Sequence, residues 1–244
     1  MTEQGAPATS AAGRRAAYAR LRAERPHLFG NDPGTPIEIL LDPDLQDQAA
    51  ASSAQQQRDL GLPDEFGDVG VWYEDPYIKL VKDAVRFPSG RIGTYIRTFA
   101  AVDSGSVLVV PTTRDGRIAL IRHYRHGCRE WHWELPRGFA EPGVPGAENV
   151  AKEIREELGA TATDVTLLAR IDQETADKVG VYHCVVDLPD DAELSAESIE
   201  EGISEVRLVT ARELESMILA GELTDMFTLS AYATAVAAGV ITRG

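Results

Sequence analysis

Chemistry is most legible in the stretch GFAEPGVPGAENVAKEIREELGA, Gly138 to Ala160, where Glu153, Glu156 and Glu157 follow a loop rich in glycine and proline. A helix from about Ala147 to Leu158, turning 100° per residue, puts Ala147, Val150, Ala151, Ile154 and Leu158 on one stripe that buries against a sheet. The glutamates, three and four residues apart, then fall together beside that stripe. Lys152 and Arg155 take the remaining side, where Lys152 can pair with Glu148 one turn earlier, so the carboxylates are expected to crowd without a cation among them. Like charges at this spacing cost roughly 0.2–0.5 kcal/mol each, too little to exclude a plain solvated helix face. A solvated face more often alternates signs, however, and clustered hard oxygen ligands suit Mg²⁺ or Mn²⁺, which can bridge to substrate phosphates. The loop glycines allow close backbone approach and the prolines stiffen it, so a carbonyl near Arg137 could complete the coordination. Gly159 ends the helix as a C′ residue does.

The rest of the chain must position this stretch. Its 244 residues suffice for one sizeable core with an appendage. With 43% hydrophobic and 26% charged residues and no apolar run approaching a membrane span, a soluble protein without a membrane partner is expected. The N-terminus MTEQGAPATSAAGRR lacks the basic start and apolar core of a secretory signal, which points to a cytoplasmic protein. A formal net charge of -15, relieved only by RRAAYARLRAERP, argues against nucleic acid as a partner. The same charge repels a phosphorylated substrate, so phosphate chemistry requires local arginines or a divalent cation. Cys128 and Cys184 lie far apart with no C-x-x-C spacing; they read as buried or half-buried thiols, and a sulfur-based metal site is not expected.

Residues 1–36 read as a flexible tip and a short basic helix, Arg14 to Glu24, at the periphery, ended by Pro26. DLQDQAAASSAQQQRDLG reads as a surface helix or a linker. From Val71 the pattern becomes β-rich, first in WYEDPYIKLVKDAVRF and IGTYIRTFAAVD around a PSGR turn. SVLVVPTTRDGRIALIRHY follows as a hairpin about Asp115-Gly116. DVTLLARI, KVGVYHCVVDL and ISEVRLVT read as further strands, and ARELESMILAGE and LTDMFTLSAYATAVAAG as closing helices. Strands and helices mix without regular βαβ alternation, so the fold class is α+β or a mixed-sheet sandwich. The division expected is an N-terminal extension at 1–36, a β-rich segment at 37–103 and a catalytic domain at 104–244.

Gly138, five residues, position 144, seven residues, then Lys152-Glu153-Ile154-Arg155-Glu156-Glu157-Leu158-Gly159-Ala160 resembles the Nudix box. The flanks LIRHYRHGCREWHWELPRG and LAGELTDMFTLSAYA are similar to the ADP-ribose pyrophosphatase branch of the Nudix hydrolases, and the likeness covers roughly residues 70 to 240. It implies an α/β/α sandwich around a mixed sheet, with a β-rich N-terminal extension that serves a homodimer. Val144 stands where the box has glutamate and Lys152 where it has arginine, a pair that holds the loop to the helix in the family. Losing both partners strands neither charge, but lysine lacks the planar fork for a bidentate grip.

The resemblance further implies Glu153 and Glu157 as metal ligands, Glu156 as ligand or base, and the Arg137 carbonyl as a further ligand. It implies an acidic residue from the late stretch ELSAESIEEGISE, here Glu200 or Glu201, and a substrate-phosphate contact at Arg125. Glu134 sits where the family keeps a glutamate near the site, and is equally readable as a strand-end hydrogen-bonding residue. The histidines receive no role, and Trp131, Trp133, Tyr124 and Tyr182 read as sheet packing. Trp72 and Tyr73 are candidates to stack a nucleobase across a dimer. The implied activity is Mg²⁺- or Mn²⁺-dependent hydrolysis of a small-molecule diphosphate such as ADP-ribose into two monophosphates. Val144 and Lys152 keep open a diverged domain that binds without turnover, and a biosynthetic diphosphate, for instance a prenyl one, remains a further substrate class.

Overall fold

The computed structural model describes residues 10–172 and 178–242, so the first residues of the expected flexible tip lie outside the described part. The chain forms two compact units, one ending at Asp103 and the other starting at Ser104.

The first unit contains α1 (Ala11–Glu24), β1 (Glu38–Ile39), α2 (Pro43–Asp59), β2 (Gly70–Glu74), β3 (Ile78–Arg86) and β4 (Ile92–Ala100). β3 pairs antiparallel with β4 along its whole length, and with β1 and β2. The basic helix is not peripheral. Ala17, Tyr18 and Leu21 repeat at helical spacing and bury with Phe29, Val71, Val81 and Phe99. The Tyr18 hydroxyl donates to buried Asp83, which also accepts from Arg97. The Ala/Gln/Ser-rich stretch is helix α2, capped by the Asp42 carboxylate and burying Gln46, Ala49 and Ser53.

The second unit contains β5 (Ser106–Thr112), β6 (Ile118–Arg125), β7 (Glu130–Glu134), β8 (Arg137–Phe139), α3 (Gly146–Leu158), β9 (Ala162–Asp172), β10 (Lys178–Val186), α4 (Ala196–Glu200), β11 (Ile203–Val209), α5 (Ala211–Ala220) and α6 (Met226–Ala237). Its seven-stranded sheet runs β11-β6-β5-β10-β9, with β7 on β6 and β8 on β5. β5 and β10 are parallel and the other pairs antiparallel, giving a mixed sheet. The Asp115-Gly116 turn forms with Gly116 at φ 85, but β5 and β6 register only at Thr112 opposite Ile118. Beyond it they diverge, β6 taking β7 as partner and β5 taking β8.

Alternation along β5 separates two cores. Leu108 and Val110 face Leu214, Met217, Ala231, Tyr232 and Ala235 of α5 and α6. Val107 and Val109 face Val150, Ile154 and Leu158 of α3. Helices therefore cover both faces of an α+β sandwich, and the divergence of β5 from β6 leaves room for β8, which lies against Glu153 and Glu157 in the second half of α3.

Candidate active site

α3 ends on Gly159, whose left-handed backbone (φ 63) lets its N–H turn back to the helix. Its buried residues are Asn149, Val150, Glu153, Ile154, Glu157 and Leu158, while Ala147 is exposed. The buried stripe is thus rotated from the one read off the apolar residues, and Glu153 and Glu157 lie within it, at 7% and 2% exposure. Glu156 stays on the rim.

The three carboxylates consequently differ in chemistry. Burial first, then the neighbouring acids Glu156, Glu201 and Glu141, pushes Glu153 up to about 7 although Lys152 opposes the shift. Burial, with Glu153 and Glu201 adding repulsion, holds Glu157 well above the ordinary carboxylate range, although it accepts the Arg137 N–H at 3.0 Å. Glu156 instead lies 3.7 Å from Lys152 Nζ and 3.3 Å from Arg155 Nη2. Glu153 and Glu157 crowd as expected and make no ion pair among the described residues, although Lys152 acts on Glu153 from a distance; for Glu156 the expectation fails, since two cations flank it.

Lys152 does not pair with Glu148; it reaches Glu141 Oε1 at 3.0 Å. A loop-to-helix ion pair therefore exists despite Val144, made from a residue three positions earlier. Asn149 strengthens the same connection: its Oδ1 accepts from Glu141 N at 2.9 Å, and its Nδ2 donates to the carbonyls of Val144 and Pro145. Just before this loop, Gly138 of β8 leaves room for the Glu153 carboxylate, which an added Cβ would displace.

Behind the glutamates lies a second charged group. Glu134 is fully buried; Arg125 grips it with Nε at 3.1 Å and with Nη2, and Arg137 Nη2 lies at 3.4 Å. His123 Nδ1 stands 3.1 Å from Glu134 Oε1. Burial pushes the Glu134 carboxyl up, but His123, Arg125 and Arg137 together hold it below the usual range. Arg137 also reaches Asp225 Oδ1 at 3.2 Å and covers the Phe227 ring at 4.2 Å. Asp225 caps α6 and accepts from Thr228 Oγ1, which in turn accepts the Leu135 N–H at 2.9 Å, fixing the β7–β8 connection to α6.

The sequence-predicted residues are thus partly assembled. Glu153, Glu157 and the Arg137 backbone meet, the last through its N–H. Arg125 and Glu134 meet each other, so the Arg125 fork is engaged by a carboxylate. Glu200 and Glu201 are both exposed, at the end of α4, which Ser198 ties to α3 by a 2.8 Å bond to the Glu156 carbonyl. Glu201 adds to the negative charge felt by Glu153 and Glu157. Trp72 has both Arg14 and Lys82 over its ring and donates to the Asp68 carbonyl, so it is occupied within its own unit; Tyr73 is exposed.

Sequence pattern does not mark Glu141, Asn149 or Asp225, and His123, expected to have no role, stands beside Glu134. The expected pairing of Lys152 with Glu148 masked Glu141, whereas an Asp three residues before a Thr was an available signal for the cap at Asp225.

A helix-covered mixed sheet, a glycine-tied loop and a helix carrying two buried carboxylates together define a Nudix-type domain. A family model described as NUDIX domain matches residues 104–227, just over half of the chain, and the chain belongs to the Nudix family. Among curated relatives, the putative ADP-ribose pyrophosphatase YjhB of Bacillus subtilis (strain 168) is 44% identical over 59 residues, 24% of this chain and 26% of that protein. ADP compounds hydrolase NudE of Escherichia coli (strain K12) is 32% identical over 66 residues, 27% of this chain and 35% of that protein. The matches therefore span about a quarter and a third of those relatives. A solved structure titled as an ADP compounds hydrolase shares the fold, with a TM-score of 0.58 and 19% identity over 70% of this chain and 90% of that one. Among the described residues no helix is long and apolar enough to cross a membrane.

Proposed function

We propose that this chain is a pyrophosphohydrolase that uses Mg²⁺ or Mn²⁺ to cleave a nucleoside diphosphate linked to a second moiety, of the ADP-ribose or nucleotide-sugar type, into two monophosphates. The observation that carries the reading is the pair Glu153 and Glu157, buried, mutually repelling and without an ion-pair partner among the described residues. Two desolvated carboxylates beside a glycine that makes room for one of them fit a hard divalent cation, which would neutralise a repulsion that Lys152 offsets only in part and without an ion pair to either of them.

In this reading Glu153 and Glu157 hold the cation and Glu156 contributes from the rim. When bound, the cation would polarise the diphosphate and lower the pKa of a water. Arg137 holds Glu157 through its N–H and Glu134 through its side chain, so helix and strand stay in register. Arg125 is anchored by Glu134 with one edge of its guanidinium and would offer the other to a phosphate. Glu201, exposed and close enough to influence both buried glutamates, is favoured over Glu200 as the group that accepts a proton.

The Lys152–Glu141 pair and the Asn149 clamp favour turnover over binding without turnover, since the loop is tied to the helix by other means. In the same proposal residues 37–103 serve pairing of two chains, a role supported by Tyr95 and Ile96, large side chains exposed on β4. Residues 1–36 would be an extension of that segment and 104–244 the hydrolase domain, acting in the cytoplasm on a small molecule. Incubation with ADP-ribose, nucleotide sugars and a prenyl diphosphate, with and without Mg²⁺, tests the reading. Release of AMP and a sugar phosphate only with metal is the expected result; no cleavage of any of them sinks it.

A further inference from the structure

The β6–β7 hairpin that supplies Arg125 and Glu134 carries a second donor set at its tip. Register places His132 opposite His123 and Glu130 opposite Arg125, and strand alternation puts Glu130 and His132 on one face. The turn between the strands folds Cys128 towards them, with Arg129 in left-handed backbone (φ 63) and its N–H bonded to the Arg125 carbonyl at 2.8 Å. Cys128 Sγ lies 3.2 Å from His132 Nε2, and Glu130 Oε2 lies 3.9 Å from the same nitrogen. The three donor atoms all fall within 4.8 Å of one another.

We propose that Cys128, Glu130 and His132 form a binding site for a thiophilic divalent cation of the Zn²⁺ class, with solvent in the fourth position. Tetrahedral Zn²⁺ with ordinary bond lengths holds its ligand atoms about 3.4–3.6 Å apart, so the observed sulfur–nitrogen and nitrogen–oxygen separations need to change by about half an ångström or less. A thiolate and an imidazole select Zn²⁺ over Mg²⁺, and thiolate plus carboxylate match its charge. The neighbouring cationic groups are engaged elsewhere. Arg125 grips Glu134, while Arg129 contacts His126 Nδ1 at 2.9 Å and lies over the Tyr124 ring. The set is Cys-x-Glu-x-His and not C-x-x-C, and it converges only because the last two residues lie on a strand. It also corrects the expectation of buried thiols: Cys184 is fully buried, but Cys128 is exposed.

The test uses the full chain with excess Mg²⁺ to fill the helix carboxylates. Co²⁺ should then give a thiolate-to-cobalt charge-transfer band that saturates near one equivalent and is displaced by Zn²⁺. Zn²⁺ should also slow modification of Cys128 by a thiol reagent by about tenfold or more. C128S should abolish the band, and H132Q should weaken Zn²⁺ binding, measured against a chromophoric chelator, by about tenfold or more. E157Q should keep the band. Absence of the band in the unaltered chain, its loss in E157Q, or Zn²⁺ affinity unchanged in C128S and H132Q overturns the proposal. Thermal melts of each variant establish that it is folded, and no readout depends on hydrolysis.

Discussion

Replacing Glu153 by glutamine should make the metal-free protein more stable while removing its response to Mg²⁺. The Glu153 carboxyl is raised from 4.5 to about 7, chiefly by burial. An acid raised in the folded state keeps its proton there after the unfolded chain has lost it. Stability is therefore fully present below pH 4.5 and is lost as pH rises to about 7. At about 1.4 kcal/mol per unit, ionised Glu153 costs at most about 3 kcal/mol above that window. E153Q, close in shape and uncharged, escapes the cost. In EDTA, its Tm should exceed that of the unaltered chain by up to roughly 6–12 °C at pH 8, and the difference should shrink towards zero at pH 4.5. Mg²⁺ at a hundred times its Kd should stabilise the unaltered chain by about 2.7 kcal/mol and E153Q little. Differential scanning calorimetry at several pH values reads all of this. An E153Q melt at or below that of the unaltered chain at pH 8, or a gain independent of pH, would refute the burial argument.

Arg125→Ala should cost roughly 3 kcal/mol in chemical denaturation, because it leaves Glu134 buried with fewer cations, and the double change R125M/E134Q should cost less than R125A alone. Separate replacement of Lys152 and Glu141 by alanine should each lower kcat with a small loss of stability; a double-mutant cycle should give a coupling of about 0.2–1 kcal/mol for so exposed a pair. Gly138→Ala should weaken Mg²⁺ binding, followed by calorimetric titration, because the new methyl displaces the Glu153 carboxylate. Among the late acidic residues, E201Q should reduce kcat more than E200Q in steady-state assays.

The elements were legible where local pattern determines them. α3 starts within a residue of the expected place and stops at Gly159 because a left-handed C′ favours glycine. The strands follow their β-branched runs for the same local reason. The depth of the glutamates was not legible. A helical stripe read from apolar residues excludes acids by construction, and Glu153 and Glu157 are buried by the loop and strand folded over them. The partner of Lys152 lies eleven residues upstream in sequence and depends on the loop's path. The link from Leu135 through Thr228 to Asp225 joins segments ninety-three residues apart, beyond any local period. The turn at Gly116 is legible in Asp115-Gly116, but its strands separate because β7 and β8 take over their inner edges, a competition visible only in the assembled sheet.

The central claim is that Glu153 and Glu157 bind a divalent cation on which diphosphate cleavage depends. Its most direct measurement is Mg²⁺ titration of ADP-ribose hydrolysis by the unaltered chain beside E153Q and E157Q, with AMP release followed by chromatography. The account predicts saturable, metal-dependent release by the unaltered chain and a loss of about a hundredfold or more in each variant. Metal-independent release, or variants that turn over as fast as the unaltered chain, would contradict it.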